Sequence, residues 1–167
     1  MSTSSKGFTF IELLVVLSII SLLLFITIPR IQGNPFLDEK RGASIWIMGT
    51  VQALKQKAVR EQVGQTLHVD IDQGRFWASN AAMTAEEHLE AAAGAFVAPD
   101  GFRVLDISFP ERETVSLGTA DIHFYKEGYS DMAIIRAELV GDTVCSFLVE
   151  PFLPGAKRYA ENISFNQ

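Results

Sequence analysis

Cysteine is nearly absent from this 167-residue chain: Cys145 stands alone, so no intramolecular disulfide can form. Its setting, Thr143-Val144-Cys145-Ser146-Phe147-Leu148-Val149, reads as the core of a strand, where a lone thiol acts as a small apolar side chain. Excess positive charge is lacking too, with 14 Lys and Arg against 20 Asp and Glu and a net charge of −6. Phosphate contacts need clustered cations, and Lys55, Lys57 and Arg60 are diluted by neutral residues, so nucleic acid is not expected as a partner. No G-x-S-x-G, P-loop or Rossmann fingerprint occurs, so no catalytic residue is assigned and an enzyme is not expected. His68, His88 and His123 lie far apart in the chain and form no H-x-x-x-H pair, which argues against zinc. Asp70-x-Asp72-x-Gly74 matches part of a calcium loop but lacks the further oxygen ligand and the late Glu. It reads more simply as a hairpin turn. Neither a metal nor a cofactor is therefore expected. Glu111-Arg112-Glu113 reads as a solvated loop.

What the chain does have is one long apolar run. From Phe8 to Ile28 it reads FTFIELLVVLSIISLLLFITI, with Glu12 as its single charge. At about 1.5 Å per residue, a helix of that length spans roughly the 30 Å hydrocarbon core of a bilayer. A removable secretory signal has a shorter apolar core and a small-residue cleavage site, and Thr27-Ile28-Pro29-Arg30 is not one. The expected plan is one membrane anchor followed by one soluble domain. Charge bias does not orient it, because Lys6 lies on one side and Arg30, Lys40 and Arg41 on the other.

Glu12 sits five residues into the run, starting from Phe8. An isolated charge at membrane depth costs about 2.5–3.5 kcal/mol on insertion scales, so it calls for a partner. Cleavage between Gly7 and Phe8 would create an α-amino group about one helical turn away. That amine, in the same chain or a neighbour, is one candidate partner; snorkelling of Glu12 to the interface is the other. Gly7 lets a protease approach the backbone closely. Pro29 interrupts helical hydrogen bonding and predicts a kink at the end of the anchor.

Lys6-Gly7-Phe8-Thr9-Phe10-Ile11-Glu12-Leu13-Leu14, with the apolar stretch to Pro29, resembles the class III signal of type IV pilins and pseudopilins. The resemblance implies a membrane peptidase, the prepilin peptidase, that cuts after Gly7 on the cytoplasmic side and N-methylates Phe8. It also implies a cytoplasmic leader and a domain outside the inner membrane, and it gives Glu12 the task of pairing with an adjacent subunit's amine. The expected division is a leader over 1–7, a transmembrane and filament-core helix over 8–29, a kinked linker over 30–37 and a periplasmic domain over 38–167.

Within the domain, Ala43, Ile47, Val51, Leu54 and Ala58 recur at three- and four-residue steps and predict a helix over Asp38–Val63. Lys40, Gln52, Lys55, Gln56 and Arg60 fill the rest of that helix surface, and Gly64 supplies a stop. The period then changes to two. Thr66–Ile71 and Arg75–Ala78 read as a hairpin, followed by a short helix over Met83–Ala93 with Thr84 and Glu87 as a capping box. Further strands are expected over Phe102–Phe109, Ile122–Tyr125, Ala133–Val140, Val144–Val149 and Arg158–Ser164. The fold class is thus α+β, a long N-terminal helix laid on antiparallel sheet.

Ala58-Val59-Arg60, the strand ending in Phe76-Trp77, and Phe124-Tyr125-Lys126-Glu127-Gly128-Tyr129-Ser130 are similar to the minor pseudopilin H (GspH)/FimT-like group. That group often has Phe-x-Pro-x-Gly-x-Ser in the turn, and Lys126 stands here in place of its Pro. The resemblance implies a minor pseudopilin of type II secretion, with other pseudopilins, the peptidase, the inner-membrane assembly platform and a secreted substrate as partners. The alternative is a minor type IV pilin in pilus priming or DNA uptake; a signal-anchored enzyme or binding module ranks last. Protein purified from membranes containing a prepilin peptidase is expected to begin at N-methyl-Phe8 by mass spectrometry, and an intact Met1 would contradict the processing reading. Bulky replacements of Gly7 should leave the precursor uncut.

Overall fold

The computed structural model describes residues 10–27, 35–139 and 143–165. These fall into two compact units divided after Asn34. The first unit contains one helix, α1 (Phe10–Thr27). Gly7, Phe8 and Pro29 lie outside the described residues, as does the Val140-Gly141-Asp142 turn.

The second unit opens with α2 (Pro35–Glu61). It starts within the stretch expected as linker, with proline in its first turn, where the absent N–H costs no hydrogen bond. It ends before Gly64. Gln62 takes the left-handed conformation (φ 55°), and the Val63 N–H reaches back to the Ala58 carbonyl at 3.2 Å, a helix stop that usually uses glycine. The Gln62 side chain contributes by donating from Nε2 to the Val59 carbonyl at 2.7 Å.

Eight strands follow among the described residues. β1 (Gln65–Asp70) and β2 (Arg75–Asn80) form the expected hairpin. Gly74, at φ 60°, and a bond from the Gln73 N–H to Asp70 Oδ1 at 3.0 Å close its turn. β5 (Thr119–Phe124) pairs with the other side of β1, and β3 (Phe96–Val97) with β2. The second sheet runs β4 (Phe102–Ser108), β6 (Ala133–Leu139), β7 (Thr143–Val149), β8 (Lys157–Tyr159). All pairings are antiparallel. The sheet expected from sequence is thus two sheets of four strands. Strand periodicity says which residues face inward, not how many sheets share them.

The apolar stripe of α2 holds both sheets to one core. Ala43, Ile47, Val51, Leu54 and Ala58 are all buried. They join Leu67, Val69, Phe76, Ile122 and Phe124 of the first sheet and Val104, Ile107, Ile135, Cys145 and Phe147 of the second in a single cluster. Each fully buried large side chain contributes about 1.5–3 kcal/mol. Trp46 of α2 stacks on Phe96, ring centres 4.1 Å apart, and meets Phe76 edge-on. That contact ties down the two-residue β3, which no local pattern announces.

Two local departures have clear causes. A bulge between Val104 and Asp106 rephases β4, so that Phe102 and Val104 before it and Ile107 and Phe109 after it all point inward. The last strand stops at Tyr159, short of the expected Ser164. Beyond it the buried Ser146 hydroxyl donates to the Glu161 carbonyl and accepts from the Ile163 N–H, replacing the ladder with side-chain bonds. The short helix α3 (Ala85–Ala93) carries the expected capping box between Thr84 and Glu87. Hydrogen bonds from the Thr84 backbone and side chain hold the Glu87 carboxyl below its usual range.

Lys55 departs from the polar face assigned to it. It is 6% exposed, and its ammonium donates to the carbonyls of Glu150 (2.5 Å), Pro151 (3.2 Å) and Leu153 (2.6 Å). Burial lowers its pKa, and the charge of Glu150 opposes that shift. Three carbonyls of the β7–β8 connection thus converge on one cation. Lys55→Met keeps the stem but removes those donors, and should cost about 2 kcal/mol by the penalty for unpaired buried carbonyls. Urea unfolding of a chain beginning at Pro35 measures this, and unchanged stability would refute the role.

Burial pushes the Cys145 thiol above its ordinary value of 9.0. The folded state therefore holds that proton more tightly than the unfolded one, and this group's share of stability falls as pH rises past the ordinary thiol range. Alkylation of Cys145 by iodoacetamide should run at the rate of unfolding. Modification of the folded domain as fast as that of a free thiol would disprove the core assignment.

Candidate functional site

The described part of the N-terminal unit is an apolar helix with one acidic residue. Glu12 lies in the first turn of α1, where a carboxylate complements the unsatisfied N–H groups of the helix start. Around it Phe10 is 77% exposed and Ile11 69%, and Leu13 to Leu17 and Ile19 are exposed as well. Apolar character on all sides of a helix belongs to a membrane span or to the interior of an assembly. The Ser18 hydroxyl donates to the Leu14 carbonyl at 2.8 Å, so the helix satisfies this polar group internally. The 18 described residues rise about 27 Å. Among the described residues no helix is long and apolar enough to cross a membrane. Of the residues expected to act in processing and assembly, Glu12 alone is therefore placed.

In the domain, the turn from Phe124 to Ser130 takes the shape its glycine demands. Gly128 has φ 97°, its N–H reaches the Tyr125 carbonyl at 3.0 Å, and the Tyr125 N–H reaches the Tyr129 carbonyl at 2.8 Å. An L side chain at that φ would be strained. Lys126 fills the position where proline is frequent without disturbing these bonds. Asp131 locks the far side: its carboxylate accepts from the His123 N–H at 3.2 Å and the Tyr125 hydroxyl at 3.0 Å, with Arg112 at 3.6 Å. Burial, then the bond to Asp131, raises the Tyr125 pKa. Tyr125 stacks on Tyr129, ring centres 4.5 Å apart, and Phe152 lies beyond, 85% exposed.

The remaining candidates resolve as follows. Asp70 closes its own hairpin, and Asp72 Oδ2 accepts from the Gly118 N–H at 2.9 Å. Both carboxylates are thus committed to turn backbone. Arg112 of the Glu111-Arg112-Glu113 loop sits over the Phe109 ring at 5.1 Å besides meeting Asp131. The three histidines are distant in sequence but not in space: His68, His88 and His123 all line one open cleft over the first sheet. Among the described residues no cluster of His, Cys, Asp and Glu has the geometry to hold a metal ion. His68 is instead hydrogen-bonded to Asp121 at 2.6 Å and to Ser79 at 2.7 Å. His123 meets Thr66 at 3.1 Å. Residue spacing carries no trace of this cluster, which strand order alone assembles.

Comparison with known proteins adds two findings. Residues 2–28 match the family model described as the prokaryotic N-terminal methylation motif. No curated protein matches the chain in sequence. The fold is similar to that of the minor pseudopilin EpsH from the type 2 secretion system of Vibrio cholerae, at TM-score 0.50 and 12% identity, covering 73% of this chain and 97% of that one. At so low an identity the likeness speaks for the fold, while the motif independently marks the N-terminus. The chain thus carries a prokaryotic N-terminal methylation motif over residues 2–28, and its fold is similar to that of a minor pseudopilin.

Proposed function

We propose that the protein is a minor pseudopilin, a structural subunit of the periplasmic pseudopilus of a type II secretion system. The carrying observation is the conjunction of the methylation motif over residues 2–28 with the pseudopilin fold of the domain. In this reading the prepilin peptidase cuts between Gly7 and Phe8 and methylates Phe8. The apolar run from Phe8 to Ile28 anchors the chain once in the inner membrane, with the N-terminus cytoplasmic and the domain periplasmic. The exposed apolar surface of α1 supports this, since in water such a surface is costly and in lipid or a filament core it is not. Pro29 then marks the end of the anchor, where a bend or loss of helix adapts the chain to the filament.

Glu12 makes the assembly step selective. Inside an apolar core its carboxylate needs a cation, and a neighbouring subunit's Phe8 amine supplies one. Membrane insertion gains nothing from the charge. Partners are accordingly other pseudopilins, the peptidase and the inner-membrane assembly platform.

Glu12→Leu should insert and be cleaved like the original yet crosslink to co-expressed pseudopilins several-fold less. Glu12→Asp, which keeps the charge with a shorter reach, should fall between. Equal crosslinking yields for Glu12→Leu and the original would show that the carboxylate takes no part in assembly. A chain that crosslinks to no pseudopilin at all would overturn the pseudopilus reading itself.

A further inference from the structure

Three neighbouring strands of the first sheet place an acid, an imidazole and a hydroxyl in sequence. Register sets His68 of β1 opposite Asp121 of β5 on one side and Trp77 of β2 on the other, with Ser79 one pleat further along β2. Asp121 Oδ1 lies 2.6 Å from His68 Nδ1, and His68 Nε2 lies 2.7 Å from Ser79 Oγ. A carboxylate accepts only, so Nδ1 carries a proton, and in the neutral imidazole the Nε2 lone pair faces the Ser79 hydroxyl. Stacking on Trp77, ring centres 5.1 Å apart, holds the imidazole plane. Each side chain stands on a hydrogen-bonded strand, which positions it more firmly than a loop would.

These groups line an open cleft of about 410 Å³, together with Asn80, His88 and His123. That volume admits a small molecule. A nucleophile, a base and a group orienting the base therefore meet in one place. Asp121 is half exposed at the rim and disfavours anionic ligands.

We propose that Ser79 is an activated nucleophile that accepts an acyl group from small uncharged esters, with His68 as general base and Asp121 as a positioning residue. As Ser79 Oγ bonds to the ester carbonyl carbon, its proton passes to His68 Nε2 and the carbonyl π pair moves to oxygen. Collapse of the tetrahedral species breaks the bond to the alkoxy group, which leaves as an alcohol with the proton from His68. The products are acyl-Ser79 and a free alcohol. This activity is separate from filament assembly, which uses the N-terminal helix. A hydrogen-bond chain that merely fastened three strands together would leave Ser79 no more reactive than any other serine.

The test is covalent labelling of the full-length protein in detergent micelles with a fluorophosphonate probe, followed by peptide mass spectrometry. Ser79 should be the serine modified, at a rate that rises with pH. His68→Gln should slow labelling by roughly 100-fold, the usual worth of a general base, and remove that pH dependence. Asp121→Asn should slow it and alter the pH profile, and p-nitrophenyl acetate should leave an acetyl group on Ser79 of the unsubstituted protein. No adduct at Ser79 of the unsubstituted protein overturns the proposal, and that result depends on no variant folding. Labelling at Ser79 that is indifferent to pH and to His68→Gln overturns it too, since it would report a hydroxyl that reacts without a relay.

Discussion

Burial of one helical stripe is the constraint on which the domain depends. Ala43, Ile47, Val51, Leu54 and Ala58 leave no room for water along one side of α2, and the two sheets share that wall. Neither sheet is large, and a four-stranded sheet with one apolar face needs a partner to cover it. The helix supplies that cover to both. Its placement in turn decides which polar residues are carried inward, and Lys55 is the clearest instance: one residue after Leu54, it is drawn out of solvent and gathers the carbonyls of Glu150, Pro151 and Leu153.

The outer face of the first sheet follows from the same arrangement. With Leu67, Val69, Ile122 and Phe124 turned to the core, strand alternation turns His68, Asp121 and His123 outward. Tight pairing then brings these outward groups within hydrogen-bonding distance of one another. A polar face of this kind has no need to form a cleft. Here Ala81 of the β2–α3 connection and His88 of α3 help to line one.

The two units treat apolar surface differently. The domain buries a core of apolar residues, whereas α1 displays Phe10, Ile11 and Leu13. Apolar surface of that extent on a helix is costly in water. The likeness to EpsH, at 12% identity, lies in the fold, whereas the methylation motif lies in residues 2–28.

Local interactions explain what was legible in the amino-acid sequence. The apolar run, the Glu12 within it, the stripe on α2, the β1–β2 hairpin and the Thr84–Glu87 capping box all depend on residues a few positions apart, where helical and strand periods act directly. Strand order, by contrast, leaves no mark at short range. Two sheets in place of one, the two-residue β3, the bulge after Val104, the burial of Lys55 and the helix stop at Gln62 were decided by packing. So was the Ser79–His68–Asp121 chain, whose members are 11 and 53 residues apart and meet because β1 lies between β2 and β5. Sequence periodicity tells each of those side chains which way to face; the neighbour it finds there depends on the order in which strands pair, and that order minimises the exposed apolar surface of the whole domain.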